Sequence, residues 1–157
     1  MKNTDIHRSD CPMNIGVELF GDKWSLLIIR DIMLIGKRSF GEFLKSREKI
    51  ASNILTDRLN RLEEIGILTK KQDSNHKQRI IYSLTEKGIS LLPMLVELGI
   101  WSTDHNTVGD FFIPYTKKLK EGGKELQKKL IANLRKEHLG IESDLADELF
   151  VPFFSQE

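Results

Sequence analysis

Apolar positions recur at helical spacing along most of the chain and change to strand-like runs only once. Cys11 and Pro12 read as an N-cap and first helical position, opening a short helix through Phe20 that stops at Gly21. Asp22 caps a second helix, in which Trp24, Leu27, Ile28, Ile32 and Ile35 keep the period until Gly36. Ser39-Phe40-Gly41-Glu42 is a capping box, and Phe40, Phe43 and Leu44 supply the buried stripe of a short third helix. After a turn at Lys49 and Ile50, a helix over 52–65 turns Leu55, Leu59 and Leu62 inward and ends at Gly66. Residues 67–72 and 79–84 are β-rich, and the polar turn formers of 73–78 between them predict a hairpin.

Thr85 caps the next helix, expected to run to about Asp104. Ile89, Leu92, Val96 and Ile100 fall on one of its faces; Leu91, Met94, Leu95, Leu98 and Trp101 fall on the other. A helix apolar on both sides must be covered on both, by a second subunit or by the C-terminal part of the chain folding back. Pro93 inside this run predicts a kink or a relaxed first turn. Beyond Thr107 the pattern weakens. Residues 111–115 read as an irregular apolar connection, and 123–137 as a lysine-rich helix with Leu126, Leu130, Ile131 and Leu134 on one side. A last short helix over 144–150 and an apolar tail over 151–154 follow.

These elements, in 157 residues, make one domain with an appended element: 1–106 as the main unit and 107–157 as a helical extension serving packing or dimer contacts. No apolar run approaches the roughly 18 residues of a membrane span. The first ten residues lack the apolar stretch of a secretory signal, so a cytoplasmic protein with no membrane partner is expected. One cysteine, Cys11, can form neither an internal disulfide nor a thiolate cage. Total charge is only +1, but residues 37–79 hold eleven Lys and Arg against six Asp and Glu, leaving the remainder net negative. A basic middle suits a phosphate-facing surface, and equally a solvated lysine-rich one.

Element order is more specific than charge. Two helices joined by a short turn and followed by a hairpin with a basic, polar tip make a winged helix-turn-helix, a mainly α fold with a small β-hairpin (α+β) and extra N- and C-terminal helices, for which the resemblance described below implies dimerisation. In that arrangement helix 52–65 enters the major groove and tip 73–78 reaches a neighbouring groove or phosphates. With the leucines inward, Asn53, Asp57 and Asn60 point outward, flanked by Thr56 and Arg61. Ser52 and Asn53 occupy the first turn, where free backbone N–H groups face the DNA. Asn53 can read adenine with a bidentate bond, and Ile54 can touch a thymine methyl. Lys37, Arg38, Ser39, Lys49, His76, Lys77 and Arg79 complete the expected DNA-facing set, the cations as phosphate clamps. Arg58 lies at the edge of the buried stripe and serves either a backbone contact or an internal ion pair. The outward carboxylate of Asp57 either accepts from a cytosine amino group or tethers Arg58 or Arg61.

The chain resembles the HxlR family of bacterial winged-helix transcriptional regulators. Matching stretches are Cys11-Pro12-Met13, the run from Gly21-Asp22-Lys23-Trp24 to Arg30, Phe40-Gly41-Glu42-Phe43, the run from Ile50 to Leu59, Leu62-Glu63-Glu64-Ile65-Gly66 and the run from Tyr82 to Gly88. They occur in family order across residues 11–105. The resemblance implies a homodimer paired through the first and last helices of the domain, with Leu91, Leu95, Leu98 and Trp101 at the contact. It also implies binding to a pseudo-palindromic operator in double-stranded DNA, with repression as the expected action. Many members sense oxidants or electrophiles through the cysteine that Cys11 matches. A thiol at a helix N-terminus sees the positive end of the dipole, which favours thiolate; the alternative is an inert capping cysteine.

Enzymatic readings find little support. His7, His76, His105 and His138 lack ligand spacing, and Gly122-Gly123 follows no strand. No cofactor, metal or catalytic residue is expected. Two other readings compete: a winged-helix module that pairs with a protein, and a regulator sensing a small ligand in a pocket lined by Trp101, Phe111, Phe112 and Tyr115, residues that serve equally as interface packing.

Overall fold

The computed structural model of the chain describes residues 7–147. Seven helices and one two-stranded antiparallel sheet follow in order: α1 Pro12–Phe20, α2 Ser25–Arg30, α3 Phe40–Leu44, α4 Ser52–Glu64, β1 Leu68–Gln72, β2 Ile80–Leu84, α5 Glu86–Ile89, α6 Leu92–His105 and α7 Ile113–Leu139. This is the mainly helical winged-helix architecture expected from the pattern. Helix α2 runs into a π-helical turn, Asp31–Ile35, which ends at Gly36 in the left-handed region (φ 80°). Asp22 lies three residues before the first α2 residue, yet its carboxylate accepts from the backbone N–H groups of Trp24 (2.8 Å) and Ser25 (3.0 Å) and so satisfies the helix start.

The core is one cluster. Ile28, Ile29, Ile32 and Met33 from the second helix and its π turn meet Phe43, Leu55, Leu59 and Leu62 of α3 and α4. Ile67, Leu68 and Leu84 close it from the hairpin, and Ile89, Leu92, Leu95 and Val96 from α5 and α6. Leu119, Leu130 and Leu134 of α7 are buried in the same cluster. Within it sits a polar group: the buried Asp31 carboxylate accepts from Arg30 (2.6 Å), from Lys37 Nζ (3.2 Å) and from the Ser46 hydroxyl. Arg30 continues to Glu48 (2.7 Å). This network ties the end of the second helix to the turn between α3 and α4, fixing the angle at which α4 leaves the body.

Several expectations change. The helix foreseen from Thr85 to Asp104 is two, α5 and α6, because Pro93 cannot continue a hydrogen-bonded helix and falls in the first turn of a new one. Residues 111–115 are not an irregular connection throughout: Pro114 opens α7, which begins at Ile113 and runs to Leu139 with a break at Gly123 (φ 52°, ψ −146°). Leu44 is exposed, since α3 is too short for a second inward apolar turn beside Phe43. Of the helix expected over 144–150, residues 144–146 form a turn and bend instead, and the Asp147 N–H donates to Asn133 Oδ1 (2.8 Å). Residues 148–150 and the tail over 151–154 lie outside the described residues.

Candidate nucleic-acid interface

Helix α4 has two unlike edges. Leu55, Leu59 and Leu62 are at most 1% exposed. Ser52, Asn53, Thr56, Asp57 and Asn60 are exposed on the other side. Ala51 takes the N-cap, so Ser52 and Asn53 lie in the first helical turn and no side chain caps the helix start. Ile54 is half-buried at the rim, against the core. Lys49, exposed just before α4, adopts a positive φ of 54°, the sharp bend that turns the chain into the helix.

The wing follows α4, and Lys70 of β1 pairs with Glu63 near the end of the helix (2.7 Å). Leu68 pairs with Leu84 at its root and Gln72 with Ile80 near its tip. Asp73 organises the turn: its side chain accepts from the Asn75 N–H (2.9 Å) and its own N–H donates to Arg79 O (2.8 Å). His76, Lys77 and Arg79 are exposed around this tip, with Arg79 Nη2 3.6 Å from Glu42. Lys71, outside the sequence-based set, is exposed on β1 one position from its end. The signal for it was its place in a strand leading into a basic turn, where only the first residue, Leu68, is buried.

Five residues expected to face DNA are spent inside the protein. Lys37 donates to Asp31 and to Ser46 Oγ (2.9 Å). Arg38 donates to Tyr82 O (2.6 Å), to Ser83 Oγ (2.6 Å) and to Glu137 (3.2 Å), holding β2 and α7 together. Ser39 is buried, because its capping box with Glu42 and its bridge to Ile81 draw it under the sheet. Arg58 is the internal ion pair: Nε donates to Asp22 Oδ1 (3.0 Å) and Nη1 contacts Asp57. Arg61 donates to the Glu18 carbonyl (2.7 Å) and ties α4 to α1. Asp57 contacts Arg58, one of the two roles expected of its carboxylate, while staying largely exposed. Burial raises the pKa of Asp22, but hydrogen bonds from Ser25, Trp24 and Arg58 outweigh it and hold the carboxyl at about 2.

Cys11 is exposed at the N-cap of α1, with Pro12 behind it. On α6, Leu95 is buried in its own chain and Leu91 is half-buried, so neither offers much to a partner. Leu98 and Trp101 are 46% and 58% exposed, and Met94 joins them at 43%. Helix α7 packs on α6 and leaves this stripe uncovered. Trp101, Phe111, Phe112 and Tyr115, expected to line a ligand pocket or to pack at an interface, all take part in ring contacts. Trp101 stacks on His105 (5.3 Å between rings). Phe111 packs on Phe112 and Tyr115, with the Arg47 guanidinium over both phenylalanines. A groove between α6 and α7 is lined by Ile100, Thr103, Asp104, Ile113, Thr116, Lys117 and Lys120. Among the described residues there is no group of side chains able to hold a metal ion, and no helix is long and apolar enough to cross a membrane.

Residues 19–109 match the sequence profile of the HxlR-like helix-turn-helix family. The chain is 29% identical over 107 residues to the HTH-type transcriptional regulator YybR of Bacillus subtilis, covering 68% of this chain and 85% of that one. It is 31% identical over 101 residues to the HTH-type transcriptional regulator YodB of the same organism, covering 64% and 89%. Among solved structures, the oxidised form of the redox regulator HypR superposes with a TM-score of 0.54 at 27% identity, covering 62% of this chain and all of that one.

Proposed function

The chain belongs to the HxlR-like helix-turn-helix family and is a transcriptional regulator rather than an enzyme, and from that premise we propose that it represses transcription as a homodimer on a pseudo-palindromic operator. The observation that carries this reading is the two-edged α4, whose leucines are sealed in the core while Ser52, Asn53, Thr56 and Asn60 are exposed at the start and along the outer edge of the helix. A helix of this kind fits the major groove with its first turn against base edges. Lys49 before it, and Lys71, His76, Lys77 and Arg79 on the wing, supply the phosphate contacts that set register. Lys37, Arg38, Ser39, Arg58 and Arg61 support these elements from behind.

Cys11 extends the reading to oxidants or electrophiles. Its exposure at a helix N-terminus and the likeness to a protein described as a redox regulator support it. With one cysteine per chain, a disulfide forms only with a small thiol or with Cys11 of the other subunit. Selection from a random duplex pool, followed by titration of the winning sequence in rising salt, tests the DNA reading. A two-fold symmetric site and a steep log–log salt slope are expected; no enriched sequence and a flat slope overturn it. Diamide is expected to weaken binding in the wild type and not in Cys11→Ser, and an equal response in both removes the sensing role.

A further inference from the structure

The last turns of α7 grip the base of the wing through three side chains. The Leu84 N–H, at the end of β2, donates to His138 Nδ1 (3.1 Å). Glu137 pairs with Arg38, which itself holds the Tyr82 carbonyl and the Ser83 hydroxyl. Arg135 pairs with Glu86, the first residue of α5. His138 is the unusual member. An imidazole that accepts at Nδ1 is neutral and carries its proton on Nε2. Among the described residues, that Nε2 is the buried side-chain polar atom with no hydrogen-bond partner.

We propose that the end of α7 is a pH-sensitive latch on the wing, in which neutral His138 holds the Leu84 amide and releases β2 when it takes up a proton. A proton on Nδ1 would point at the Leu84 N–H, donor against donor, so the hydrogen bond cannot survive protonation. The charged groups around the ring act in the same direction. Arg38, before α3, penalises a second cation; its partner Glu137 is already engaged, as are Arg135 on α7 and Glu86 on α5. The ionisable side chain that β2 contributes is Tyr82, whose hydroxyl burial keeps protonated. Burial, then the Arg38 charge, lower His138 from 6.5 to about 3 while it is docked. The latch is therefore at full strength above 6.5 and weakens as pH falls from there toward 3. Linkage makes the closed-to-open ratio drop roughly 25-fold between pH 7 and pH 5 for one such group.

The latch itself needs no DNA; its consequence for DNA affinity rests on the reading of the wing given above. Amide hydrogen exchange on the full chain reads it directly, with the protection of Leu84 compared with that of Leu59 and Leu62 in α4. In the wild type, Leu84 protection is expected to fall about 25-fold from pH 7 to pH 5 relative to α4, and to be nearly flat in His138→Gln. Should that variant not fold, the nitrogen resonances of the wild-type imidazole decide alone: neutral with the proton on Nε2 near pH 6, changing together with Leu84 protection. An imidazole titrating near 6.5 with Leu84 protection unchanged, or the same pH dependence in both proteins, overturns the latch. Loss of the DNA reading shows separately, as absence of duplex binding at pH 7.5.

Discussion

At the residue scale, Asp22 joins two elements with one carboxylate. It satisfies the N–H groups that open α2 and holds Arg58 of α4, so a single side chain ties the start of α2 to α4. Substitution by Asn keeps the shape and an acceptor but loses the charge that Arg58 pairs with. Asp22→Asn is expected to cost about 1–2 kcal/mol of unfolding free energy at pH 7, the range for a lost cap with a charge-assisted partner. The acid limb separates this from ordinary destabilisation. With the folded carboxyl at about 2 against an ordinary 3.8, the contribution is complete above 4 and disappears as pH falls toward 2. The gap between wild type and variant in denaturant melts should shrink to about half between pH 7 and pH 3; a gap of the same size at both values would mean that the charge plays no part. The capping role of Asp22 was readable from its place before an apolar period. Its grip on Arg58 was not, because 36 residues separate the pair and only the packing of α4 across α2 brings them together.

At the element scale, the pattern located α4 and both strands to within a residue of where they lie, α4 because its leucines recur at helical spacing and the strands because polar turn formers separate two β-rich runs. The role of the cations was far less legible. Lys37, Arg38, Arg58 and Arg61 look like phosphate ligands in a basic stretch, yet the carboxylates and carbonyls that claim them come from Asp31, Tyr82, Glu137, Asp22 and Glu18, distant in sequence or hidden by burial. On the proposed reading, what remains for DNA divides by element: α4 offers polar side chains for base edges and the wing offers charge. The two therefore fail differently. Lys77→Ala is expected to lower the log–log salt slope by about 1 for each wing engaged, with equal losses on operator and random duplex. Asn53→Ala should leave that slope alone and cost about 1–3 kcal/mol on the preferred operator only. Fluorescence anisotropy at several salt concentrations on both duplexes distinguishes them, and a salt-slope change in Asn53→Ala would place that residue on the backbone instead.

At the scale of the whole molecule, the question posed by a helix apolar on two faces has a two-part answer. Helix α7 folds back and shares the core with Leu92, Leu95 and Val96, which accounts for one face of α6. The other face stays open as Met94, Leu98 and Trp101, spaced four and three residues apart, the interval that keeps a seam facing a partner helix. Met13 and Val17, four apart on α1, are also exposed, at 76% and 57%. Two helices with unburied seams in one small domain fit a second copy of the chain, and a second copy is what a two-fold operator requires. Leu98→Asp puts a carboxylate in that seam without touching the monomer core, since Leu98 is already half exposed. The variant is expected to sediment as a monomer where the wild type is a dimer, with a thermal midpoint no higher than the wild type's and an α4 as well protected as before at the same low concentration. Its operator affinity should drop on the order of 10²–10⁴-fold, because two reading helices on one rigid body bind as a bivalent unit and a lone one does not. A wild-type chain that stays monomeric at micromolar concentration, or a Leu98→Asp dimer that binds the operator undiminished, would move the partner surface elsewhere on the molecule.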